Sequence, residues 1–150
     1  MTTLKKGDKA PQFSGVDQDG NAHKLADYKG KNLVVFFYPK ANTPGCTAEA
    51  CDLRDNFERF QSNNYAILGV SADSQKAQAK FRDKFVFPFP LLADEDKSVI
   101  EVFGVWGPKK FMGKEYDGIH RTTFIIDENG TIDEVISDVK TKDHANQILK

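Results

Sequence analysis

The sequence predicts an α/β fold in which helices cover both faces of a mixed β-sheet. Two short apolar runs, residues 33–38 and 65–71, flank a segment with helical spacing, which is the order of a parallel β-α-β unit. Further along, two strand-like stretches flank Glu128-Asn129-Gly130, and a turn of this kind predicts an antiparallel hairpin. Parallel strands followed by a hairpin require a sheet that contains both strand directions.

The first strand is predicted at residues 33–38, which read Leu-Val-Val-Phe-Phe-Tyr. An unbroken run of apolar, β-branched and aromatic side chains is typical of a central strand that has neighbours on both faces. Pro39 has no backbone N–H to give to a strand ladder, so we expect the strand to end there.

A helix is predicted next, because apolar side chains recur at spacings of four and three. These positions are Cys46, Ala50, Leu53, Phe57 and Phe60. Asn63-Asn64 is expected to end this helix before the second strand at residues 65–71. The sequence therefore predicts one continuous helix between two buried strands.

Three more elements are predicted before the hairpin. Asp73 or Ser74 is a suitable N-cap for a helix that runs to about Phe85. A short helix is expected around residues 97–103. Residues 104–120 are rich in Gly and Lys and are expected to form a long loop, a length that calls for a functional reason.

The C-terminal part is predicted to contain the hairpin strands, at residues 122–127 and 131–139, and a last helix at residues 143–150. Asn-Gly readily takes positive φ angles and so favours a tight turn between the two strands. The last helix has an apolar face formed by Ala145, Ile148 and Leu149.

Length and composition indicate a single domain spanning residues 1–150. Two domains in a chain of this length would each approach the lower limit at which a core can be buried. The chain is 39% hydrophobic and 29% charged, which is typical of a folded protein and unlike a disordered one.

The charge balance argues against a partner that is a nucleic acid or a membrane surface. Twenty-one Lys and Arg residues against twenty-two Asp and Glu residues leave a formal net charge of −1. The longest apolar run, residues 33–38, is far shorter than the roughly 18 to 20 residues that cross a bilayer. Residues 1–8 have no apolar stretch behind their lysines, so we expect no secretory signal.

The cysteine and histidine content favours a reducing, cytoplasmic location and argues against a metal site. Cys46 and Cys51 are too few and too close together to staple an extracellular scaffold. His23, His120 and His144 are scattered and form no set with the spacing of tetrahedral ligands. There is no Gly-rich phosphate loop either, since Gly69 and Gly104 stand alone.

Cys46 is a candidate nucleophile because it is predicted to lie in the first turn of a helix. Backbone N–H groups there lack intrahelical partners, and the helix dipole favours negative charge, so the position stabilises a thiolate. A free cysteine thiol has a pKa of about 8.5, and such surroundings lower this to roughly 3.5 to 7.5. Position alone supports equally well a small buried side chain on the core stripe.

Cys51 strengthens the first interpretation, since a second thiol can capture an oxidised sulfur on the first. In an intact helix the Cα atoms of positions i and i+5 are roughly 8 to 9 Å apart, and the side chains point to different faces. Disulfides rarely span more than about 7 Å between Cα atoms. A bond between Cys46 and Cys51 therefore requires the start of the helix to unwind. The alternative is two unrelated structural thiols.

These residues resemble a known family. The pattern Pro39-x-x-x-Thr43-x-x-Cys46 is similar to the active-site motif of peroxiredoxins, which are thiol-dependent peroxidases. Residues 43–51, Thr-Pro-Gly-Cys-Thr-Ala-Glu-Ala-Cys, resemble the subgroup called bacterioferritin comigratory protein or peroxiredoxin Q. Residues 103–107 and 118–127 resemble it too, so the likeness covers nearly the whole chain. Leu53, where an aromatic residue would be expected, is a departure outside the catalytic motif.

The resemblance implies a thioredoxin-like fold with an N-terminal extension, and it implies roles for individual residues. Cys46 is expected to attack the peroxide, and Cys51 to resolve the oxidised sulfur. Arg121 is the expected cation beside the sulfur, since a guanidinium favours a nearby anion and its fixed donors also hold a substrate.

Three further residues are expected to support these. The Thr43 hydroxyl can face the sulfur or bind the peroxide, although a plain helix cap is an equally good interpretation without the motif. Pro39 can shield the sulfur from water as well as end the strand. Glu49, one helical turn after Cys46, is expected to orient the arginine or to complement the helix dipole. The segment around Trp106 is a candidate cover over the site. Trp106 itself can pack near the cysteines or in the core, where solitary tryptophans are more often found.

The resemblance therefore implies a peroxidase that reduces hydrogen peroxide and organic hydroperoxides through a Cys46 sulfenic acid. Cys51 would convert this acid to an intramolecular disulfide, and thioredoxin or a similar dithiol protein would reduce it, so no bound cofactor is needed. Because a local disulfide needs no second chain, a monomer is expected. Two alternatives are a thioredoxin-like disulfide reductase, which would use a C-x-x-C pair, and a non-enzymatic redox-sensing module.

Overall fold

The computed structural model describes residues 2–150. Within them the strands are β1 (Ser14–Val16), β2 (Ala22–Lys24), β3 (Asn32–Phe37), β4 (Tyr65–Ser71), β5 (Leu91–Ala93), β6 (Trp106–Phe111), β7 (Lys114–Ile119), β8 (Thr122–Ile126) and β9 (Ile132–Ile136). The α-helices are α1 (Pro44–Asp55), α2 (Phe57–Ser62), α3 (Gln75–Phe85), α4 (Ser98–Val102) and α5 (His144–Ile148), and Leu25–Tyr28 forms a 3₁₀ turn.

The main sheet has five strands in the order β5-β4-β3-β8-β9. Strand β3 runs parallel to β4 and antiparallel to β8, and β4 runs parallel to β5. Strands β8 and β9 form the predicted antiparallel hairpin, with β9 shorter than expected. The prediction of a mixed sheet with the first apolar run at its centre is confirmed.

Two apolar clusters pack on opposite faces of this sheet, because successive side chains of β3 point to opposite sides. Val34 and Phe36 belong to the first cluster, which receives residues of α1, α2, α3 and α5. Val35 and Phe37 belong to the second cluster, which receives residues of α4 and of the N-terminal part of the chain. Helices therefore cover both faces, as predicted.

Gly69, in the middle of β4, allows the sheet and its covering side chains to pack closely. A Cβ atom at this position would lie 2.8 Å from Leu91 Cδ2 and 2.9 Å from Phe36 Cζ. Contacts that short do not occur between well-packed carbon atoms, so only glycine fits here without displacing its neighbours.

The single helix predicted across residues 46–60 is wrong: α1 ends at Asp55 and α2 begins at Phe57. The break is at Asn56, whose side-chain amide donates a hydrogen bond to the Asp52 carbonyl at 2.8 Å. Its backbone N–H instead donates to the Leu53 carbonyl, three residues back. An asparagine side chain competes in this way with the helical ladder, and here it tightens and ends the helix.

The long loop predicted at residues 104–120 is also wrong, because β6 and β7 form an antiparallel hairpin. Met112 and Gly113 make its tight turn, with φ values of 51° and 81°. Most side chains of this hairpin are exposed, so it shows no alternation of apolar and polar residues.

Of the two alternatives for Trp106, packing in the core is correct and a position near the cysteines is wrong. Its ring packs against the second apolar cluster, with Lys97 Nζ 4.9 Å from the centre of a ring. Cys46 and Cys51 belong to the first cluster, on the other face of the sheet. Trp106 is therefore a packing residue that anchors the start of β6, where it also makes a cation–π contact.

The remaining elements agree with the sequence or extend it. Strand β4 spans the predicted residues, and the Ser74 side chain caps α3 by accepting a hydrogen bond from the Ala77 N–H at 3.1 Å. The N-terminal extension contains the β1–β2 hairpin and the 3₁₀ turn. Among residues 2–150, no helix has the length and apolarity needed to cross a membrane.

Candidate active site

Cys46 lies in the first turn of α1, at the carboxyl end of the central strand. Thr43 is the N-cap in an extended conformation, and Pro44 opens the helix. Proline is well suited to this place because its fixed φ is helical and the N–H that it lacks would be unpaired anyway. The Cys46 side chain is 1% exposed, so its sulfur lies within the protein near the unpaired N–H groups of the helix start.

Arg121 provides a cation in direct contact with this sulfur. Its Nη2 lies 3.4 Å from Cys46 Sγ, although the two residues are 75 positions apart in the chain. Arg121 immediately precedes β8, which pairs with β3, so the sheet brings the two residues together. A guanidinium at this distance stabilises a thiolate through charge and a hydrogen bond.

Gly45 makes room for the arginine. A Cβ atom at this position would lie 3.1 Å from Arg121 Nη2, closer than ordinary van der Waals contact. Position 45 therefore favours glycine for a steric reason, because a larger residue would press on the Arg121 guanidinium that contacts the sulfur.

Glu49 holds the other side of the arginine. Its Oε1 accepts a hydrogen bond from Arg121 Nη1 at 2.7 Å, and its side chain is fully buried. Burial raises the pKa of Glu49 to about 7, while Arg121 acts in the opposite direction. Glu49, Arg121 and Cys46 thus form a chain of contacts from the protein interior to the sulfur.

Cys51 lies farther along α1, which is continuous between the two cysteines. Both cysteines are free thiols, and Cys51 is half-buried against the first apolar cluster. Burial raises the pKa of Cys51, an effect that Arg54 opposes and Asp55 reinforces. Unwinding of α1 before a disulfide forms stays a prediction.

Thr43 and Pro39 flank the loop that leads to Cys46. The Thr43 hydroxyl donates a hydrogen bond to the Lys40 carbonyl at 2.7 Å and makes no side-chain cap. The plain helix cap is therefore wrong for this side chain, whose oxygen lone pairs stay available as acceptors. Pro39 is half-buried and lies two residues after the end of β3. The peroxide-binding role of Thr43 and the shielding role of Pro39 stay predictions.

A cleft of about 910 Å³ opens beside Arg121, and Lys109, His120 and Thr122 also line it. Lys109 donates a hydrogen bond to the Ile119 carbonyl at 2.8 Å. Burial lowers the pKa of Lys109, and the nearby Arg121 lowers it further. Cys46 does not line this cleft, so the cleft borders the site without containing the reacting sulfur.

Sequence reasoning missed one buried residue of the site, His144. Its Nε2 lies 3.5 Å from Glu49 Oε2 and 2.7 Å from the Thr123 hydroxyl oxygen. The only signal in the sequence was a polar residue beside the apolar positions of the last helix, and that pattern does not distinguish a surface histidine from a buried one.

Comparison with known proteins gives a consistent family assignment. Residues 6–135 match the AhpC/TSA family. The chain is 50% identical over 149 residues to peroxiredoxin Bcp of Escherichia coli K12, covering 99% of this chain and 96% of that protein. It is 47% identical over 148 residues to peroxiredoxin Bcp of Bacillus subtilis, covering 99% of this chain and 94% of that protein.

Solved structures agree with these relatives. A cysteine-to-serine variant of Xylella fastidiosa PrxQ superposes with a TM-score of 0.93 at 32% identity, covering 99% of this chain and 95% of that one. A structure of Xanthomonas campestris bacterioferritin comigratory protein, described for its alkyl peroxide reduction activity, gives a TM-score of 0.85 at 35% identity, covering 91% and 87%. The expected thioredoxin-like fold is confirmed.

Proposed function

Because this chain belongs to the AhpC/TSA family and is a peroxiredoxin, a thiol peroxidase, we propose that Cys46 is the residue that attacks the peroxide. The observation that carries the proposal is the contact of 3.4 Å between Cys46 Sγ and Arg121 Nη2. A cation there stabilises the thiolate, which is the nucleophilic form of cysteine. The same guanidinium offers further N–H donors to a peroxide beside the sulfur.

The first step transfers one oxygen atom to sulfur. The Cys46 thiolate attacks the terminal oxygen of ROOH, the O–O bond breaks, and the sulfur becomes a sulfenic acid. The RO⁻ group that leaves takes a proton from water and departs as alcohol, or as water when the substrate is hydrogen peroxide. Arg121 stabilises the negative charge that moves from sulfur to oxygen, and Thr43 supplies an acceptor that orients the peroxide.

The second step forms a disulfide within the chain. The Cys51 sulfur attacks the Cys46 sulfur, the S–O bond breaks, and water leaves with the proton of the Cys51 thiol. Since α1 is continuous between the two cysteines, its first turns unwind before the sulfurs meet. The oxidised and reduced forms therefore differ at the start of α1.

The substrates and the setting follow from this chemistry. Hydrogen peroxide and alkyl hydroperoxides are the proposed oxidants, which agrees with the alkyl peroxide reduction named for the Xanthomonas protein. Thioredoxin or a similar dithiol protein is the proposed reductant, because thiol–disulfide exchange returns both cysteines without a bound cofactor. We place the protein in the reducing cytoplasm, as a monomer in which residues 1–150 form one domain.

Cys51→Ser is expected to separate the two steps. Reduced variant should consume one equivalent of peroxide at the wild-type rate, because Cys46 and Arg121 are unchanged. Its steady-state rate with thioredoxin should then fall by roughly two orders of magnitude or more, since the sulfenic acid has no partner thiol within the chain. Stopped-flow peroxide consumption measures the first quantity, and a coupled thioredoxin assay measures the second.

The matched control for this variant is Thr47→Ser, which changes a neighbouring half-buried hydroxyl residue of α1 without touching either thiol. It should keep both rates. Full multiple turnover by Cys51→Ser with thioredoxin would show that Cys51 does not resolve the sulfenic acid.

A further inference from the structure

Glu49 and His144 form a buried pair beneath the sulfur that the proposed chemistry does not use. Both side chains are 0% exposed, and His144 Nε2 lies 3.5 Å from Glu49 Oε2. Glu49 Oε2 is the one buried side-chain nitrogen or oxygen without a hydrogen-bond partner in the described part of the chain. A buried carboxylate oxygen without a partner is costly, so this atom calls for an explanation.

The protonation of His144 follows from its neighbours. Gln147 Oε1 accepts from the Lys140 backbone N–H at 2.9 Å, and Gln147 Nε2 donates to the Asp138 carbonyl at 2.9 Å, so the orientation of this amide is determined. The same Oε1 lies 2.7 Å from His144 Nδ1 and can only accept. Nδ1 must therefore carry a proton in every state of the ring.

The other ring nitrogen then decides the charge of the pair. In neutral His144, Nε2 has a lone pair and accepts from the Thr123 hydroxyl at 2.7 Å. That lone pair would face the lone pairs of an ionised Glu49 carboxylate, with no hydrogen between them. One added proton, on either Nε2 or Oε2, joins the two groups by a hydrogen bond and removes the net negative charge of the pair.

The surroundings allow either atom to hold this proton. The groups that face the pair are Arg121 and, behind it, Cys46 on the side of Glu49, and Asp52 on the side of His144. Burial raises the pKa of Glu49 to about 7. Burial also lowers the pKa of His144, which Gln147 and Asp52 partly offset and Arg121 reinforces. Burial therefore disfavours the charged form of each group, both the ionised Glu49 carboxylate and the protonated His144 ring.

We propose that Glu49 and His144 share one proton, and that this proton determines how much of the Arg121 charge is available to the Cys46 sulfur. When the proton is bound, Arg121 faces an uncharged pair on one side and the thiolate on the other. When it leaves, the Glu49 carboxylate competes with the sulfur for the guanidinium. His144 is thus a positioning residue that acts on Cys46 through Glu49 and Arg121. The inference rests on the proposed role of Cys46.

Two groups that share a proton bind it more tightly than either group alone. Removing one group should therefore lower the pH midpoint at which the other loses its proton. The pH dependence of the His144 ring and of the Glu49 carboxyl is followed by NMR in the reduced full-length protein, labelled in both residue types. Both signals should change with one common midpoint. Glu49→Gln keeps an acceptor for Arg121 and should lower the His144 midpoint by about 1 pH unit or more. His144→Gln should likewise lower the pH midpoint of Glu49.

The functional half of the inference is tested by the pH profile of peroxide reduction. The rate constant of the wild type should fall as the pH rises through the midpoint found by NMR, because the ionised Glu49 then competes with the sulfur for Arg121. This step in the rate constant should disappear in Glu49→Gln. His23→Gln is the matched control, because His23 contacts Asp17 and Tyr28 in the N-terminal extension. It should leave both the midpoint and the step unchanged.

Separate midpoints for Glu49 and His144 in the wild type would overturn the shared proton, and so would an unchanged His144 midpoint in Glu49→Gln. A step that persists in Glu49→Gln would overturn the link to the sulfur. Wild-type protein that titrates as expected but consumes no peroxide through Cys46 would instead overturn the proposed function. The titration uses reduced protein and does not depend on turnover, so the two failures are distinguishable.

Discussion

Replacing Cys46 by serine is expected to abolish peroxide reduction, leaving only the rate of the uncatalysed reaction. The serine hydroxyl is almost the same size, so a residue that is 1% exposed should be replaced with little loss of packing. The reason for the loss is chemical. A thiolate is a strong nucleophile near neutrality, whereas a hydroxyl needs an adjacent general base. Among the described residues, the group that contacts the sulfur is the Arg121 guanidinium, which is a cation paired with Glu49 and cannot act as a base.

Stopped-flow consumption of hydrogen peroxide by the reduced protein measures this effect. Cys51→Ser serves as the control, since it removes the other thiol and should keep the first turnover. Cys46→Ser should show no rapid phase, while its circular dichroism and unfolding midpoint stay near those of the wild type. A rapid phase of normal amplitude in Cys46→Ser would show that the reactive sulfur belongs to another residue.

Replacing Arg121 by glutamine is expected to lower the second-order rate constant with peroxide by about 10² to 10³, the usual cost of losing one aligned donor to developing negative charge. Glutamine keeps a donor but has neither the charge nor the fork of the guanidinium. Arg121→Lys should recover part of the rate, because a lysine restores charge without two aligned donors.

Arg121→Gln is also expected to lower the free energy of unfolding, which must be measured separately from the rate constant. Arg121 Nη1 contacts the fully buried Glu49 carboxylate at 2.7 Å, and removing one partner of a buried pair typically costs about 3 to 5 kcal/mol. Since the arginine is 23% exposed and water reaches it, the lower end of that range is expected. Glu49 can also take up a proton, which reduces the cost further.

Arg82→Gln is the control for the arginine series, because Arg82 pairs with Asp19 and Asp83 at the surface. It should change neither the rate constant nor the free energy of unfolding by much. A rate constant for Arg121→Gln within about threefold of the wild type would show that the arginine contributes little to the transition state.

The parts of the fold that were predictable share one property, which is that their side chains are buried in a regular pattern. Strand β4 and the capped helix α3 have the expected positions, because apolar runs and the Ser74 cap are local signals. The β6–β7 hairpin was missed since most of its side chains face solvent, and exposed strands lose the alternation on which prediction depends. The break at Asn56 was missed because one side-chain hydrogen bond, and not hydrophobic spacing, ends the helix.

The site divides in the same way. The place of Cys46 in the first helical turn follows from local sequence, and the family motif indicates the residue types around it. The contacts of Arg121 with Cys46 and Glu49 join residues 75 and 72 positions apart, so only the sheet register brings them together. His144 reaches Glu49 from the last helix, and no local pattern marks a histidine that completes a buried pair.

The most direct test of the account is to add one equivalent of hydrogen peroxide to the reduced protein and to measure intact mass, free thiols and the modified peptide. If Cys46 and Cys51 act as proposed, the wild type loses both thiols without gaining oxygen, and Cys51→Ser gains a single oxygen on the peptide that contains Cys46. Oxygen found instead on Met112, which is 87% exposed, with Cys46 still reduced, would contradict it.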